Sequence, residues 1–109
     1  MIEVQKSSLD ADVAGLMIRL NGGDPSTEAI DKFRLGVVIR INIFNWQDTF
    51  EQYRSGLLNE EAFGATRVAI ATVLSLPENR VVWTRSRLPG TAFATYVDGI
   101  VAETPLRSI

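Results

Sequence analysis

The chain contains no cysteine and no histidine. Those two absences remove the disulfide, the thiolate nucleophile, the Ser-His and Cys-His relays, and every zinc or haem site built on sulfur or imidazole. Carboxylate and carbonyl oxygens are left for metal ligation. They suit magnesium or calcium, but the spacing of an EF-hand loop does not occur. There is no phosphate-cradling glycine loop, Walker pattern or nucleophile elbow. A Ser-Lys pair would have to use Lys6 or Lys32, and no spacing supports one. No catalytic residue, metal-ligand set or cofactor is therefore expected.

Charge and hydropathy exclude further classes. Eleven basic against thirteen acidic residues give a net charge of -2, which argues against holding nucleic acid or coating an anionic membrane by electrostatics. The most apolar stretch, 35–46, is twelve residues long and is interrupted by Arg40, Asn42 and Asn45. A membrane-spanning helix needs about 20 residues, so this stretch reads as core. The first nine residues carry Glu3 and Lys6 and lack the apolar run of a signal peptide. Absence of cysteine fits either side of a membrane, and the default expectation is cytoplasmic.

What is present describes a folded domain. With 109 residues, 46% of them apolar and 22% charged, the chain has room for one hydrophobic core and is expected to form a single domain over 1–109, ordered from about 9 to 103. Val13, Leu16, Met17 and Leu20 recur at i, i+3, i+4 and i+7, the pattern of a helix from Leu9 or Asp10 to Asn21, ended by Gly22 and Gly23. Asp24 or Ser26 is positioned to cap a second helix, with Pro25 tolerated at its start.

Only Gly36 interrupts the pattern from there to Gly56. A helix over roughly 30 residues would be about 45 Å long, more than the diameter of a compact globule of this size, so it must bend, protrude or lie across a partner. Two apolar stripes run along it. Ile30, Phe33, Val37, Ile41 and Phe44 form one, and Ile39, Ile43, Trp46, Phe50, Tyr53 and Leu57 the other. At about 100° per residue they lie roughly 200° apart, which predicts a helix buried on both sides where they overlap.

Asn59 can cap a third helix, with Glu60 and Glu61 in its first turn and Phe63, Ile70, Val73 and Leu74 on one face. Pro77 opens a fourth helix carrying Trp83 toward Arg87, and Thr91 caps a fifth with Phe93, Tyr96, Val97, Ile100 and Val101 inward. The tail beyond Glu103 is expected to fray. A strand reading competes at 39–43, at 80–84 and around the Asp98-Gly99 turn. Helix is favoured for 39–43 because the stripe continues in step through Phe50.

The residues Asn45, Phe50, Tyr53, Arg54, Gly56, Leu57, Leu58 and Glu61 spell Asn-x4-Phe-x2-Tyr-Arg-x-Gly-Leu-Leu-x2-Glu. With an aromatic at Phe63, a Pro-opened helix carrying Trp83 and a closing Phe93, Tyr96, Val97 and Asp98, the chain resembles an uncharacterised family of small bacterial all-helical proteins over about 10–103. The resemblance implies an all-α fold and supplies no activity. Members of that family often carry a membrane helix before this domain, which this chain lacks, and that departure bears on membrane attachment.

The expected architecture is an all-α, roughly five-helix orthogonal bundle around one long central helix at 26–54. Several groups carry a functional and a structural reading side by side. Trp46, Phe50 and Tyr53, with Arg54 beside them, are either core aromatics or the anchors of an interface, where Trp, Tyr and Arg are enriched. Arg80, Arg85 and Arg87 near Trp83 could clamp a phosphate or carboxylate or form a platform for a base, or could simply be cations at a helix C-terminus. Asp48, Glu51, Glu60 and Glu61 could cluster around a hard cation, but read more simply as surface acids.

The leading expectation is a non-enzymatic interaction or scaffold domain, homodimeric through Trp46, Phe50, Tyr53 and Arg54, with no nucleic acid and no membrane span. The alternative is a domain that binds a small anionic ligand in a pocket between helices two, three and four, held by Arg54, Arg67, Trp83 and Arg85. A hydrolase using carboxylates alone is a third option, but no acid here has a context that raises its pKa.

Overall fold

The structure, a computed structural model, describes the backbone of residues 2–22 and 29–107, with side chains from residue 12 onward. Five helices follow one another: α1 (Ile2–Asn21), α2 (Ala29–Arg54), α3 (Glu60–Leu74), α4 (Pro77–Ser86) and α5 (Ala92–Glu103). The fold is all-α, with no strand among the described residues, and each segment where a strand competed is helical. The expected caps at Asp24 and Ser26 lie outside the described residues.

The ends of the helices follow from local chemistry. After Arg54 the backbone N–H of Leu57 reaches the carbonyl of Gln52 at 2.9 Å, and that of Gly56 reaches Tyr53 at 3.2 Å. This Schellman closure needs a left-handed residue at Gly56, whose φ is 85°. Asn59 then starts α3 by accepting a hydrogen bond from the Ala62 N–H at 2.8 Å, and Thr91 starts α5 by accepting from Ala94 at 3.2 Å. Between α4 and α5, Leu88-Pro89-Gly90-Thr91 forms a tight turn. Gly90 has φ 88° and Thr91 N–H reaches the Leu88 carbonyl at 3.3 Å, as in a type II turn.

The start of α4 has no cap of its own, since Leu76 offers no side-chain acceptor. Asn21, the last residue of α1, supplies one from across the molecule. Its Oδ1 accepts from the backbone N–H of Glu78 at 2.7 Å and of Asn79 at 3.2 Å. Its Nδ2 donates to the Asn79 Oδ1 at 3.0 Å and to the Met17 carbonyl at 2.9 Å. Asn79, wholly buried, completes the network by donating to the Val73 carbonyl at 3.1 Å. Every polar atom of the two amides is engaged, so their burial carries no unmet desolvation cost.

α2 packs against α1, α3 and α4, while α5 lies on α3. Leu16 and Leu20 of α1, Leu35, Ile39 and Ile43 of α2, Ile70 and Leu74 of α3 and Val97 of α5 share one core. Around Phe50 that core is aromatic. Phe63, Phe93 and Tyr96 lie with ring centroids 6.1, 5.6 and 5.1 Å from it, and Trp83 meets Phe93 edge-on at 5.7 Å. Tilted and edge-to-face pairs of this kind are the favoured aromatic geometries.

The overall dimensions are 43 × 36 × 21 Å. With 26 residues, α2 is about 39 Å long and fits along the longest dimension without protruding. The short dimension equals only two helix diameters of roughly 10–12 Å, so a helix in either layer is covered on one face. That corrects the expectation of a helix buried on both sides. Ile39, Ile43, Trp46 and Phe50 are buried, whereas Ile30, Phe33, Val37, Ile41 and Phe44 are 40% to 69% exposed. Leu57 belongs to the turn after α2 and is exposed as well. Beyond Glu103 the chain lies against the bundle as far as Arg107, whose N–H bonds the Ser75 carbonyl at 2.9 Å, and Arg80 Nη2 holds the Thr104 carbonyl at 2.7 Å.

Candidate functional site

The residues singled out in the sequence separate into two places. Trp46 and Phe50 are 7% and 5% exposed within the single chain, so they are core aromatics, and the free apolar surface of α2 is the opposite stripe. Tyr53 is half-buried, stacked on Phe63 at 4.3 Å with the rings 7° from parallel, and its hydroxyl donates to Glu60 Oε1. That hydrogen bond holds the Tyr53 phenol above its ordinary 10.0, with partial burial and the Glu60 charge adding to the effect. Arg54 pairs with Glu51 at 3.7 Å and lies 5.7 Å from the centre of the Phe50 ring. Arg67 donates through Nε to the Tyr96 hydroxyl at 2.7 Å and pairs with Glu60 at 3.6 Å. Arg54 and Arg67 thus pack over the aromatic cluster of Phe50, Phe63 and Tyr96.

Three of the four acids have partners, and Glu61 lies in the first turn of α3. Asp48 accepts from Gln52 at 3.0 Å, Glu51 and Glu60 have the partners just given, and no metal-ligand cluster of three occurs among the described residues. Arg80 is spent on the carbonyls of Leu74 and Thr104. Arg87 pairs with Asp98, whose other oxygen accepts from Trp83 Nε1 at 2.9 Å, so that one carboxylate ties α5 to the end of α4.

Trp83 and Arg85 come together in a cavity of about 300 Å³ that neither Arg54 nor Arg67 lines. Ile43 and Phe44 of α2 and Trp83 of α4 form its apolar wall, closed by Leu88 of the connection and Phe93 in the first turn of α5. Arg40, Arg85 and Arg87 line it as well, with Ser86, Gln47 and Thr91; the Arg40 guanidinium lies back along α2 toward Gly36. The cavity therefore lies between α2, α4 and the turn before α5, and not against α3 as expected from sequence. Sequence reasoning missed Arg40 and Ser86, because neither is marked by spacing until α4 is laid beside α2. A second, more open groove of about 390 Å³ lies on the far side of Arg85, between α4 and Leu106 of the docked tail.

The second feature is the outer stripe of α2. Ile30, Phe33, Val37, Ile41 and Phe44 follow one another at spacings of three, four, four and three residues, all within about 40° of Val37 around the helix. Arg34 and Arg40 border the stripe on opposite sides. It is an exposed line of large side chains about 21 Å long, an unusual surface for a solitary domain.

No protein-family model matches the chain, and no curated protein or solved structure is found to be similar to it. Among the described residues no helix is long and apolar enough to cross a membrane.

Proposed function

We propose that this chain is a non-enzymatic protein-interaction domain that pairs with a second copy of itself through the outer stripe of α2. The observation that carries this reading is the exposure of five large apolar side chains in one line, a surface that water penalises and a partner would cover. A second copy fits for a geometric reason. The spacing of three, four, four and three reads the same in both directions, so an antiparallel two-fold pair centred on Val37 sets Ile30 against Phe44, Phe33 against Ile41, and Val37 against its own copy. Each aromatic meets an aliphatic, and the smallest of the five side chains lies on the axis where two helices approach most closely.

The area is also sufficient. With exposed fractions of 40% to 69%, the stripe presents on the order of 600 Å² per copy, so a pair would bury about 1,200 Å², the lower bound of a specific interface. Arg34, paired with Asp31 at 3.8 Å, would stand at the polar rim.

Native mass spectrometry at two concentrations, compared between the wild type and Phe33→Asp, tests the reading. A wild-type dimer whose fraction grows with concentration, and a folded monomeric variant, are the expected results. A wild type that stays monomeric at the higher concentration overturns it.

A further inference from the structure

We infer that the cavity between α2, α4 and the turn into α5 binds a small amphipathic anion, an aromatic or short acyl carboxylate, with its apolar body against Trp83 and its carboxylate on Arg85. The lining is unlike the protein's composition. In a chain with a net charge of -2, three arginines and no acidic residue line this space. Arg87 is already neutralised by Asp98, whereas Arg40 and Arg85 have no ion pair among the described residues. Two uncommitted cations beside a low-dielectric wall favour an anion more than the same charges would on an open surface.

The indole donor of Trp83 is taken by Asp98, which leaves the ring to serve as a flat apolar surface in the cavity wall. About 300 Å³ is at the small end for ligand sites and suits one or two rings. The specificity is therefore for a negative group carried on a compact apolar body.

The probe is 2-naphthoate, titrated by calorimetry and by amide chemical shifts, with 2-naphthylmethanol as its uncharged counterpart. The titrations are run on the Phe33→Asp variant, because Phe33 does not line the cavity and its substitution removes the exposed stripe as a competing site. They are repeated on the wild type. One naphthoate per chain is expected in both, at least about tenfold tighter than the alcohol, with shifts at Trp83, Arg85 and Ser86. Arg85→Gln should weaken naphthoate by about tenfold and leave the alcohol unchanged. The variant replaces a side chain that holds no other element in place, and a thermal melt by circular dichroism checks that it folds. Equal affinity for acid and alcohol overturns the proposal, as does naphthoate binding that Arg85→Gln does not weaken, or shifts confined to Ile30 and Val37. Binding that persists in a Phe33→Asp monomer supports this site whether or not the wild type dimerises.

Discussion

The two faces of α2 carry much the same chemistry and meet opposite fates. On one, Ile39, Ile43, Trp46 and Phe50 disappear into the core; on the other, Ile30, Phe33, Val37, Ile41 and Phe44 remain in water. Hydrophobicity alone does not separate them, because both are lines of branched aliphatics and aromatics at helical spacing. The thickness of the molecule does: at 21 Å it has two layers, and a helix in a two-layer fold has one neighbour-facing side. An apolar stripe therefore states a demand for cover and leaves open whether the chain itself supplies it.

The sharpest test of that contrast is to truncate one aromatic on each side. Phe50→Ala removes the ring that contacts Phe63, Phe93 and Tyr96, and should cost about 3–5 kcal/mol of unfolding free energy in urea titration. Asn21→Ala removes the cap of α4 and orphans one buried and one part-buried backbone N–H and part of Asn79; a loss of about 2–3 kcal/mol is expected by the same method. Thr91→Ala removes a single exposed cap from α5 and should cost about 1 kcal/mol. Phe33→Asp, on the outer face, should change the unfolding free energy of the isolated chain by no more than about 0.5 kcal/mol while abolishing self-association. A large loss of chain stability in Phe33→Asp would break the contrast between the faces.

The smallest effect concerns the end of the inner face. Tyr53 donates to Glu60 only while protonated, and its phenol titrates above 10.0 in the folded chain because that bond favours the neutral form. The folded value is the higher one, so the contribution is present in full below the unfolded value and is lost as pH rises through the folded one. The melting temperature of the wild type should accordingly fall slightly more than that of Tyr53→Phe between about pH 9 and about pH 11. Equal slopes would show that the contact contributes nothing.

The elements that were legible in the sequence are those decided by neighbouring residues. Asn59, Pro77 and Thr91 each open a helix where expected, Gly56 ends one, and the single-faced patterns of Phe63, Ile70 and Leu74 and of Phe93 and Val97 point inward. What stayed hidden depends on residues far apart in the chain. Asn21 reads as the last polar residue before a glycine pair, and its service to α4 crosses 57 and 58 positions. The tail reads as frayed because nothing near Arg107 shows that the Ser75 carbonyl is waiting for it. For the candidate site, Trp83 and Arg85 were found from their local cluster, while Arg40 and Ser86 become neighbours of that cluster only through the packing of α2 against α4. Assigning Trp46 and Phe50 to an interface followed from their residue types, and burial in the chain's own core is what removes them from the surface.

The cap that Asn21 lends to α4 makes the seating of α1 directly observable. α4 has ten residues, too few for a helix to persist in water by itself, and its first turn is secured by a side chain that leaves whenever α1 lifts away. The backbone hydrogens of Glu78 and Asn79 should then exchange with deuterated solvent at a common rate set by α1 undocking, rather than by unfolding of the whole chain. Because Trp83, Arg85 and Ser86 stand at the other end of the same ten residues, two protected hydrogens serve as a clock for how often the wall of the cavity loses its support.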